Sequence, residues 1–354
     1  MQQAEKTRQL LTMHCQSYPE LKAQDILKYL HQSCFGCEHL VSSQEAATEY
    51  ILKEYSETCN GCDTPIEQLD GAYGRVPISY LKRGLCANTL AKLFVASSKK
   101  EKNGLNELIQ KLKIAQELAG EGVFPFSQSE FKGAVNEWQK KGYPAIRHSD
   151  AFREKYHPSY RVIASEYIPF LPLFAEIDIR LAKGKLTVAI EGGSASGKTT
   201  LSKLLEQLYG CTVFHMDDFF LQYEQRTPER LSEVGGNIDR ERFLTEVLQP
   251  LSKGKPVSFR RFDCSSMSLR EKEQVNPEKL VIIEGAYSMH PELAGYYDFS
   301  VFLDISAELQ KERILRRNSP QMAQRFFNEW IPLERLYFEK TAVKSRCDTV
   351  IQVL

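Results

Sequence analysis

The chain has 354 residues, with 46 basic and 46 acidic side chains and a formal net charge of zero. Its length predicts two domains, and its balanced charge provides no global attraction to nucleic acid or to an anionic membrane. No apolar run approaches the length of a bilayer span, and the N-terminus lacks the apolar core of a signal peptide. We therefore expect a cytoplasmic protein that binds neither nucleic acid nor membrane.

Helical periodicity dominates the chain up to about residue 180. Residues 104–118 and 129–142 each repeat apolar side chains every three to four positions, the spacing of a helix with one buried face. Residues 147–161 are dense in His, Tyr and Arg, which is compatible with a polar cleft and equally with hydrogen bonds in a core. We predict a mainly α-helical accessory domain of unknown role over residues 1–180.

Two Cys-x-x-Cys pairs lie in this first half. The four residues are Cys34, Cys37, Cys59 and Cys62. A glycine before the second cysteine of each pair suits a tight turn that offers two thiolates to one tetrahedral Zn²⁺. The gap between the pairs is slightly longer than the usual zinc-ribbon spacing of about 15–20 residues, and free cysteines are commonly small buried hydrophobes. The pattern therefore allows a structural Zn²⁺ site, with buried free thiols as the alternative.

Residues 181–354 follow a different pattern. Short apolar runs rich in β-branched residues occur at 186–191, 212–215, 280–284, 299–305 and 349–354. Segments of helical pattern separate several of these runs. Such alternation indicates a parallel sheet covered by helices on both faces. We predict an α/β domain over residues 181–354, with residues 180–184 as the junction.

A complete G-x-x-x-x-G-K-[ST] motif follows the first of these runs. Its residues are Gly192, Gly193, Ser194, Ala195, Ser196, Gly197, Lys198 and Thr199, and Thr200 comes next. The glycines let the backbone wrap closely round phosphate groups, towards which the next helix directs its positive N-terminus. The motif predicts ATP or GTP binding, with Lys198 on the β- and γ-phosphates and Thr199 as a Mg²⁺ ligand.

Two further carboxylates end apolar runs at the predicted edge of the sheet where ligands bind. Asp217 follows the run 212–215 and is placed to accept the proton of an attacking hydroxyl. The alternative is a helix cap or turn shared with Asp218. Glu284 ends the run LVIIE and suits Mg²⁺ held through water, with solvation of a strand end as its alternative.

An arginine-rich helix is predicted at residues 308–317. It carries Arg313, Arg316 and Arg317, and guanidinium groups on a mobile lid stabilise charge on a triphosphate. The alternative is a solvated helix in which Glu312 pairs with Arg316. After the phosphate-binding motif the chain has no N-K-x-D, D-x-x-G or LSGGQ string, which disfavours a G protein or a transporter ATPase and favours a kinase of small molecules.

These motifs together resemble the uridine kinase family. The resemblance rests on the strand–GGSASGKTT–helix unit, the strings MDDFF and VIIEG, the segment NIDRERF and the arginine-rich lid, and it covers about residues 184–354. The family includes nicotinamide riboside kinase and has relatives such as pantothenate kinase and phosphoribulokinase. This chain is most similar to bacterial uridine-kinase-like proteins that carry an extra N-terminal helical domain.

The resemblance implies specific roles. Asp217 corresponds to the catalytic aspartate, and Asp239 to the aspartate that holds ribose hydroxyls. Glu284 corresponds to the Mg²⁺-associated glutamate, and the three lid arginines to those that contact the phosphates. Phe262 and Arg242 are assigned to the acceptor site, Phe262 because it resembles an aromatic residue near the acceptor.

The acceptor itself is left open by two departures from the family. Where uridine and cytidine kinases have a histidine that reads the pyrimidine, this chain has Cys264. The segment 225–236 is an insert with two cations, Arg226 and Arg230, which suit either a phosphate or carboxylate on the acceptor or surface ion pairs. We predict an ATP- and Mg²⁺-dependent phosphotransferase acting on a small nucleoside-like acceptor, alone or as a homo-oligomer. The alternative is a regulatory ATP-binding module whose N-terminal domain binds a partner.

Overall fold

Helices form most of the first half of the chain, as its periodicity predicts. In the computed structural model, which describes residues 2–37, 43–58, 64–98 and 104–353, the chain divides into two units, Met1–Asp178 and Ile179–Leu354. The helices of the first unit are α1 (Gln2–Ser17), α2 (Ala23–Phe35), α3 (Gln44–Thr58), α4 (Ala87–Ser98), α5 (Gly104–Gly120), α6 (Gln128–Lys140), α7 (Asp150–Tyr156) and α8 (Leu171–Leu181). The two helices predicted at 104–118 and 129–142 are confirmed as α5 and α6.

The buried faces of these helices follow the predicted spacing. Leu108, Leu112, Ala115 and Leu118 are buried along α5. In α6 the buried residues are Phe131, Val135 and Trp138. Ser127 caps α6, because its side chain accepts a hydrogen bond from the backbone N–H of Glu130. No described helix of the chain combines the length and the apolar character needed to cross a membrane.

A small antiparallel sheet, which the sequence pattern did not reveal, lies among the helices of the first unit. Its strands are β1 (Glu67–Gln68), β2 (Tyr73–Pro77) and β3 (Tyr160–Ala164), in the order β1-β2-β3. Strand β2 is buried throughout its length, including Arg75. In register, Arg75 lies opposite Glu67 on one side and Val162 on the other. The sheet thus brings charged residues into the interior of a helical unit.

The second unit is built on a parallel sheet, as predicted. Its strands are β4 (Leu186–Gly192), β5 (Thr212–His215), β8 (Leu280–Glu284), β9 (Phe299–Ile305) and β10 (Thr349–Val353), in the order β10-β9-β4-β8-β5. All of its strand pairs are parallel. All five apolar runs of the sequence are confirmed as strands, and so is the predicted parallel α/β sheet of this half.

Helices and one hairpin complete the second unit. The helices are α9 (Lys198–Tyr209), α10 (Pro228–Ser232), α11 (Arg240–Phe243), α12 (Gln249–Ser252), α13 (Ala307–Arg317), α14 (Pro320–Arg325), α15 (Ile331–Thr341) and α16 (Val343–Arg346). The hairpin consists of β6 (Val257–Asp263) and β7 (Ser268–Val275) and pairs separately from the main sheet. Helix α9 buries Leu201, Leu204, Leu205 and Leu208 and ends at Gly210, which is left-handed.

The order of the strands determines where functional side chains meet. Strand β4 leads into the phosphate-binding motif, β8 lies next to it, and β5 lies beyond β8. The carboxyl ends of β8 and β5 carry Glu284 and His215, which are register partners. Because parallel strands end at the same edge, this edge gathers the residues that the sequence singled out.

Candidate active site

The phosphate-binding motif forms the turn between β4 and α9. Lys198 begins α9 and donates hydrogen bonds from Nζ to the carbonyl oxygens of Gly192 (2.8 Å) and Gly193 (3.0 Å). The side chain therefore curls back over the turn and places its charge within the loop. Ser196 has a buried hydroxyl with no hydrogen-bond partner among the described residues, so the loop has unused polar capacity.

Two backbone positions in this turn are special. Gly192 has φ 148°, and a Cβ there would lie 2.7 Å from the carbonyl oxygen of Leu303, so no larger residue fits. Ala195 has φ 60°, a left-handed conformation that costs energy for a residue with a side chain. Its carbonyl oxygen accepts a hydrogen bond from Arg313 Nη1 at 3.2 Å. The packing of the unit thus holds the loop in a shape that it would not adopt alone.

Glu284 connects the loop to the neighbouring strands. Its Oε1 accepts hydrogen bonds from the Thr199 hydroxyl at 2.9 Å and from Nδ1 of His215 at 2.6 Å. Desolvation raises the pKa of Glu284, but the hydrogen bond from His215 and the charge of Lys198 outweigh it, and the pKa is lowered. The hydrogen bond to Glu284 raises the pKa of His215. The carboxylate is therefore ionised beside a hydroxyl, and both are hard oxygen ligands of the kind that suits Mg²⁺.

Asp217 lies in the short 3₁₀ turn Met216–Phe219 that follows β5. Its side chain is exposed and makes no hydrogen bond with any residue that the structure describes. Desolvation by the surrounding protein raises its pKa, which the nearby charge of Lys198 opposes. Its neighbour Asp218 instead forms an ion pair with Arg261 at 3.3 Å. Of the two adjacent acids, Asp217 is the one available to a ligand.

The segment predicted to hold the acceptor is more buried than the sequence suggests. Asp239 is 2% exposed and caps α11. Its Oδ1 accepts from the backbone N–H of Arg242, and its Oδ2 accepts from Gln225 Nε2 (3.0 Å) and Arg242 Nε (3.1 Å). Arg242 also donates to the carbonyl oxygens of Arg260 and Asp218. Contact of Asp239 with an acceptor therefore requires Gln225 to move.

The two cations of the insert have different environments. Arg230 donates to both carboxylate oxygens of Glu241 and to the backbone carbonyls of Gly236 and Ile238, which makes it a structural residue. Arg226 is exposed, and its guanidinium lies 5.8 Å from the ring centre of the buried Phe262. Its charge and that of Asp217 both act on the thiol of Cys264.

The three predicted lid arginines make different contacts. They lie on α13, which ends at Arg317, and α14 begins at Pro320. Arg313 contacts the phosphate-binding loop through the carbonyl oxygen of Ala195. Arg316 lies 3.9 Å from Glu312 in an exposed pair, and Arg317 lies over the ring of Phe326. The structure thus brings one of the three to the phosphate-binding loop.

Three residues near the loop were not identified from the sequence. Glu334 on α15 accepts from the backbone N–H of Ser194 (2.9 Å) and from its hydroxyl (2.6 Å). Gln310 on α13 donates to the carbonyl oxygen of Ser194. His215 donates a hydrogen bond to Glu284. The position of His215 at a strand end, directly before the MDDFF string, could have identified it as a site residue. No sequence pattern marked Glu334 or Gln310 as residues of the site.

A fourth unforeseen residue lies beneath the loop. Glu191 is fully buried and accepts hydrogen bonds from the backbone N–H groups of Gly192, Tyr287 and Met289 and from the hydroxyl of Tyr337. Burial raises the pKa of Glu191 to about 7. This carboxyl group joins the start of the phosphate-binding loop to the loop after β8 and to α15.

The cysteines give no support to a zinc site. Cys34 and Cys37 are buried free thiols, and the Sγ of Cys37 lies 3.6 Å from the carbonyl oxygen of Val162. Cys59 and Cys62 lie outside the described residues. Within the residues that the structure describes, no group of three or more His, Cys, Asp or Glu side chains is arranged to hold a metal ion. Structural zinc is therefore unsupported.

Comparison with known proteins identifies the second unit. Residues 187–325 match the family model described as Phosphoribulokinase / Uridine kinase family. The chain is 29% identical over 157 residues to uridine kinase-like protein 5 of Arabidopsis thaliana, which covers 41% of this chain and 33% of that protein. It is 26% identical over 178 residues to the phosphoribulokinase of Synechocystis sp. (47% of this chain, 53% of that protein).

A third relative, the uridine kinase of Staphylococcus epidermidis, is 26% identical over 182 residues, covering 46% of this chain and 86% of that protein. Among solved structures, a possible uridine kinase from Bacillus stearothermophilus aligns with a TM-score of 0.39 and 24% identity, covering 51% of this chain and 98% of that one. The chain thus spans a third to about half of the first two relatives. Residues 187–325 thus lie in a P-loop kinase domain that is similar to the Phosphoribulokinase / Uridine kinase family.

Proposed function

We propose that residues 179–354 transfer the γ-phosphoryl group of ATP, with Mg²⁺, to a hydroxyl of a small nucleoside-like acceptor. The observation that carries this proposal is Asp217, an exposed carboxylate with no hydrogen-bond partner among the described residues, at the same sheet edge as the phosphate-binding loop. The adjacent Asp218, by contrast, is paired with Arg261. A free acid beside a phosphate-binding loop is the arrangement expected of a kinase.

The loop residues fit a nucleotide triphosphate and its metal ion. Lys198 and the backbone amides at the start of α9 would hold the phosphates, and the buried Ser196 hydroxyl has no competing partner among the described residues. Thr199 and Glu284 would hold Mg²⁺, directly and through water respectively, since the two side chains already lie 2.9 Å apart. The ion would supply charge neutralisation on the phosphate oxygens.

Asp217 would act on the acceptor. Its carboxylate accepts the hydroxyl proton as the acceptor oxygen bonds to the γ-phosphorus and the bond from that phosphorus to ADP breaks. Arg313 would stabilise the charge on the transferring group, because it alone of the three lid arginines contacts the loop in the described structure.

The acceptor site would lie between Asp217 and the hairpin β6–β7. Phe262 and the exposed Arg226 lie close together there, and Asp239 and Arg242 form its buried wall. Asp239 supports a hydroxyl-rich, nucleoside-like acceptor by its motif. Arg226 supports an acceptor that also carries negative charge, because a guanidinium beside an aromatic ring is suited to binding an anion.

Release of ADP from the purified chain, measured with panels of nucleosides, vitamins and sugar phosphates, tests this proposal. We expect one class of acceptor to stimulate turnover well above basal hydrolysis. The competing role, a regulatory ATP-binding module, is not favoured by the kinase family match. Basal hydrolysis that no acceptor changes would overturn the kinase proposal.

A further inference from the structure

The first unit contains a buried polar cluster that the kinase proposal does not use. It lies on the face of the three-stranded sheet that carries Arg75, against α1, α2 and the start of α7. Arg75 lies in the middle of β2, opposite Glu67 of β1 in register, and Tyr160 of β3 lies opposite Pro77, one side-chain repeat away on the same face. The sheet geometry therefore aligns the buried cation Arg75 with a partly buried acid, Glu67, and a partly buried phenol, Tyr160, on one face.

Arg75 is the centre of this cluster. Its Nη1 donates to Glu67 Oε2 at 2.8 Å and its Nε to Gln32 Oε1 at 2.9 Å. The guanidinium lies 4.8 Å from the ring centre of Tyr160 and 5.5 Å from that of Tyr29. Although the residue is only 3% exposed, its Nη2 has no hydrogen-bond partner among the described residues. An unpaired buried donor is destabilising, more so when it is charged, so this group is expected to have a partner.

A second unpaired atom lies on the other side of Glu67. Nδ1 of His14 is 2.5 Å from Glu67 Oε1, and because the carboxylate accepts, Nδ1 carries the proton. Burial lowers the pKa of His14, which leaves Nε2 of the neutral ring as an acceptor. That atom is also buried without a partner in the described part of the chain. The partners of Glu67 therefore each leave one buried nitrogen without a hydrogen bond among the described residues: Nη2 of Arg75, a donor, and Nε2 of His14, an acceptor.

A hydrogen-bond chain fixes the ring that covers Arg75. Asp25 accepts from the backbone N–H and the hydroxyl of Ser149 and faces Nδ1 of His148 at 3.0 Å. Nε2 of His148 lies 2.7 Å from the Tyr160 hydroxyl. Since Nδ1 donates to Asp25, Nε2 accepts the proton of Tyr160. Tyr160 is therefore held against Arg75 and is not free to turn away.

The rim of the cluster is partly open to solvent. Lys28 and Tyr18 are both half-buried. Nζ of Lys28 donates to the carbonyl oxygen of Ile146 at 3.2 Å, which leaves its other protons available. The hydroxyl of Tyr18 makes no hydrogen bond to any described residue, while its ring packs against Phe152 and Tyr156. Both residues adjoin members of the cluster: the ring of Tyr18 lies 4.9 Å from that of His14, and Lys28 precedes Gln32 by one turn of α2.

The unused groups are mainly donors. Both carboxylates of the cluster, the buried Asp25 and the partly exposed Glu67, are already occupied. Asp25 accepts from Ser149, His148 and the backbone N–H of Lys22, and Glu67 from Arg75 and His14. What remains is three donors, Nη2 of Arg75, the ammonium of Lys28 and the hydroxyl of Tyr18, and one acceptor, Nε2 of His14. Two cations and a phenol hydroxyl with protons to donate are the complement of a negatively charged oxygen group.

We propose that the first unit binds a small organic oxyanion, a carboxylate or a phosphate group, at this cluster. Arg75 forms the floor of the site and Lys28 and Tyr18 form its rim. Because Lys28 and Tyr18 are partly exposed to solvent, an anion that binds them approaches Nη2 of Arg75 from that side. The competing explanation is one buried water that bridges Arg75 and His14, which requires neither Lys28 nor Tyr18.

Equilibrium dialysis of the full-length chain with radiolabelled inorganic phosphate, and separately with radiolabelled malonate, tests the site. The chain carries Lys198→Ala so that the phosphate-binding loop contributes little. We expect saturable binding of one of the two probes at one site per chain. Preference for phosphate or for malonate identifies the source of the oxyanion.

Matched variants locate the binding. Lys28→Gln should weaken it about tenfold and Tyr18→Phe about threefold, as the loss of one charged and one neutral hydrogen bond predicts. Lys155→Gln, an exposed lysine on α7 paired with Glu20, should leave it unchanged. The melting temperature of each unliganded variant checks that the fold is intact. No saturable binding of either probe, or equal binding by the Lys28 and Lys155 variants, would overturn the proposal in favour of a buried water.

Discussion

Asp217 and Asp218 are chemically identical neighbours with different surroundings. Asp218 is paired with Arg261, whereas Asp217 forms no ion pair within the described part of the chain and experiences the charge of Lys198. The sequence predicted that one of the pair lies at the sheet edge, and the alternative was a cap or turn for both. The 3₁₀ turn that follows β5 separates their roles, because successive residues in it point in different directions.

Asp217→Asn should lower kcat by about 10²–10⁴-fold, since the amide cannot accept the hydroxyl proton. Nucleotide affinity should remain nearly unchanged, because Lys198 and the loop amides are untouched. Acceptor-stimulated ADP release and nucleotide titration measure the two quantities. Asp218→Asn is the matched control and should change kcat only a few fold; equal losses in the two variants would remove Asp217 from its assigned role.

The pair His215–Glu284 predicts a pH dependence of stability. The raised pKa of His215 means that its contribution is complete below its usual pKa of 6.5 and is lost as the pH rises through the raised value. The lowered pKa of Glu284 means that its contribution is complete above 4.5 and is lost as the pH falls through the lowered value. Because His215 is one-third exposed, the pair is expected to contribute under about 1 kcal/mol.

Thermal unfolding without Mg²⁺ measures this effect. The difference in melting temperature between the protein and His215→Gln should be no more than about 2–4 °C at pH 5.5 and should shrink at pH 8.5. A difference that is constant between these two pH values would show that the histidine is not charged in the folded state. His157→Gln, which changes an exposed histidine of the first unit, serves as the control.

At the scale of elements, α15 stabilises the phosphate-binding loop. Glu334 is 5% exposed and accepts two hydrogen bonds from Ser194, while Tyr337 of the same helix donates to Glu191 beneath the loop. Helix α15 thus contacts the loop through Glu334 and the residue before the loop, Glu191, through Tyr337. We therefore expect α15 to position the phosphate-binding loop without contacting the reacting groups.

Glu334→Gln should raise the KM for ATP about fivefold while changing kcat less than twofold, because it loses a charge-assisted hydrogen bond worth roughly 1–2 kcal/mol. Steady-state kinetics with varied ATP at saturating acceptor provide the measurement. Glu339→Gln changes an exposed residue on the same helix and should have no effect. A fall in kcat with an unchanged KM would contradict a positioning role for Glu334.

Helices and strands were predictable where one pattern of apolar residues, helical or strand-like, continues along the chain. The strands β5, β8 and β9 match the predicted runs residue for residue, because buried parallel strands are continuous apolar segments. The hairpin β6–β7 escaped prediction since β7 is mostly charged and β6 has a register shift between Arg260 and Phe262, which interrupts the alternation. The sheet β1–β3 escaped because its strands are short and far apart in sequence.

The candidate site was predictable to the extent that its residues lie at strand ends. The phosphate-binding loop, Asp217 and Glu284 follow from local pattern and topology. Glu334 and Gln310 contact Ser194 from positions more than a hundred residues away, and no local pattern marks such contacts. The buried state of Asp239 also depends on a partner outside its own motif, Gln225.

At the scale of the whole molecule, the change in sequence period near residue 180 lies close to the boundary between the two units. Residues 179–354 contain every residue assigned to phosphate, metal and acceptor. The boundary falls inside α8, whose last turn belongs to the second unit. Arg180 in that turn donates to the carbonyl oxygen of Asp298 and lies over the ring of Phe299 of the same unit.

Residues 179–354 produced alone should therefore fold cooperatively and bind ATP with an affinity within about threefold of the full chain, as expected of a unit with its own core. Circular dichroism and nucleotide titration check the two statements. The complementary fragment, residues 1–178, should show no nucleotide binding. Loss of ATP binding by the isolated second unit would show that the first unit contributes to the kinase site.

The parallel sheet also separates the residues assigned to phosphate from most of those assigned to the acceptor, which has an evolutionary consequence. Residues assigned to phosphate and Mg²⁺ come mainly from the end of β8 and from the loop between β4 and α9. Most of those assigned to the acceptor, namely Arg226, Asp239, Arg242 and Phe262, lie outside that sheet. Mutations can accumulate in the second group without disturbing the first. A lineage built on this frame can exchange one acceptor for another by changing Arg226, Cys264 and their neighbours, while inheriting the transfer chemistry intact.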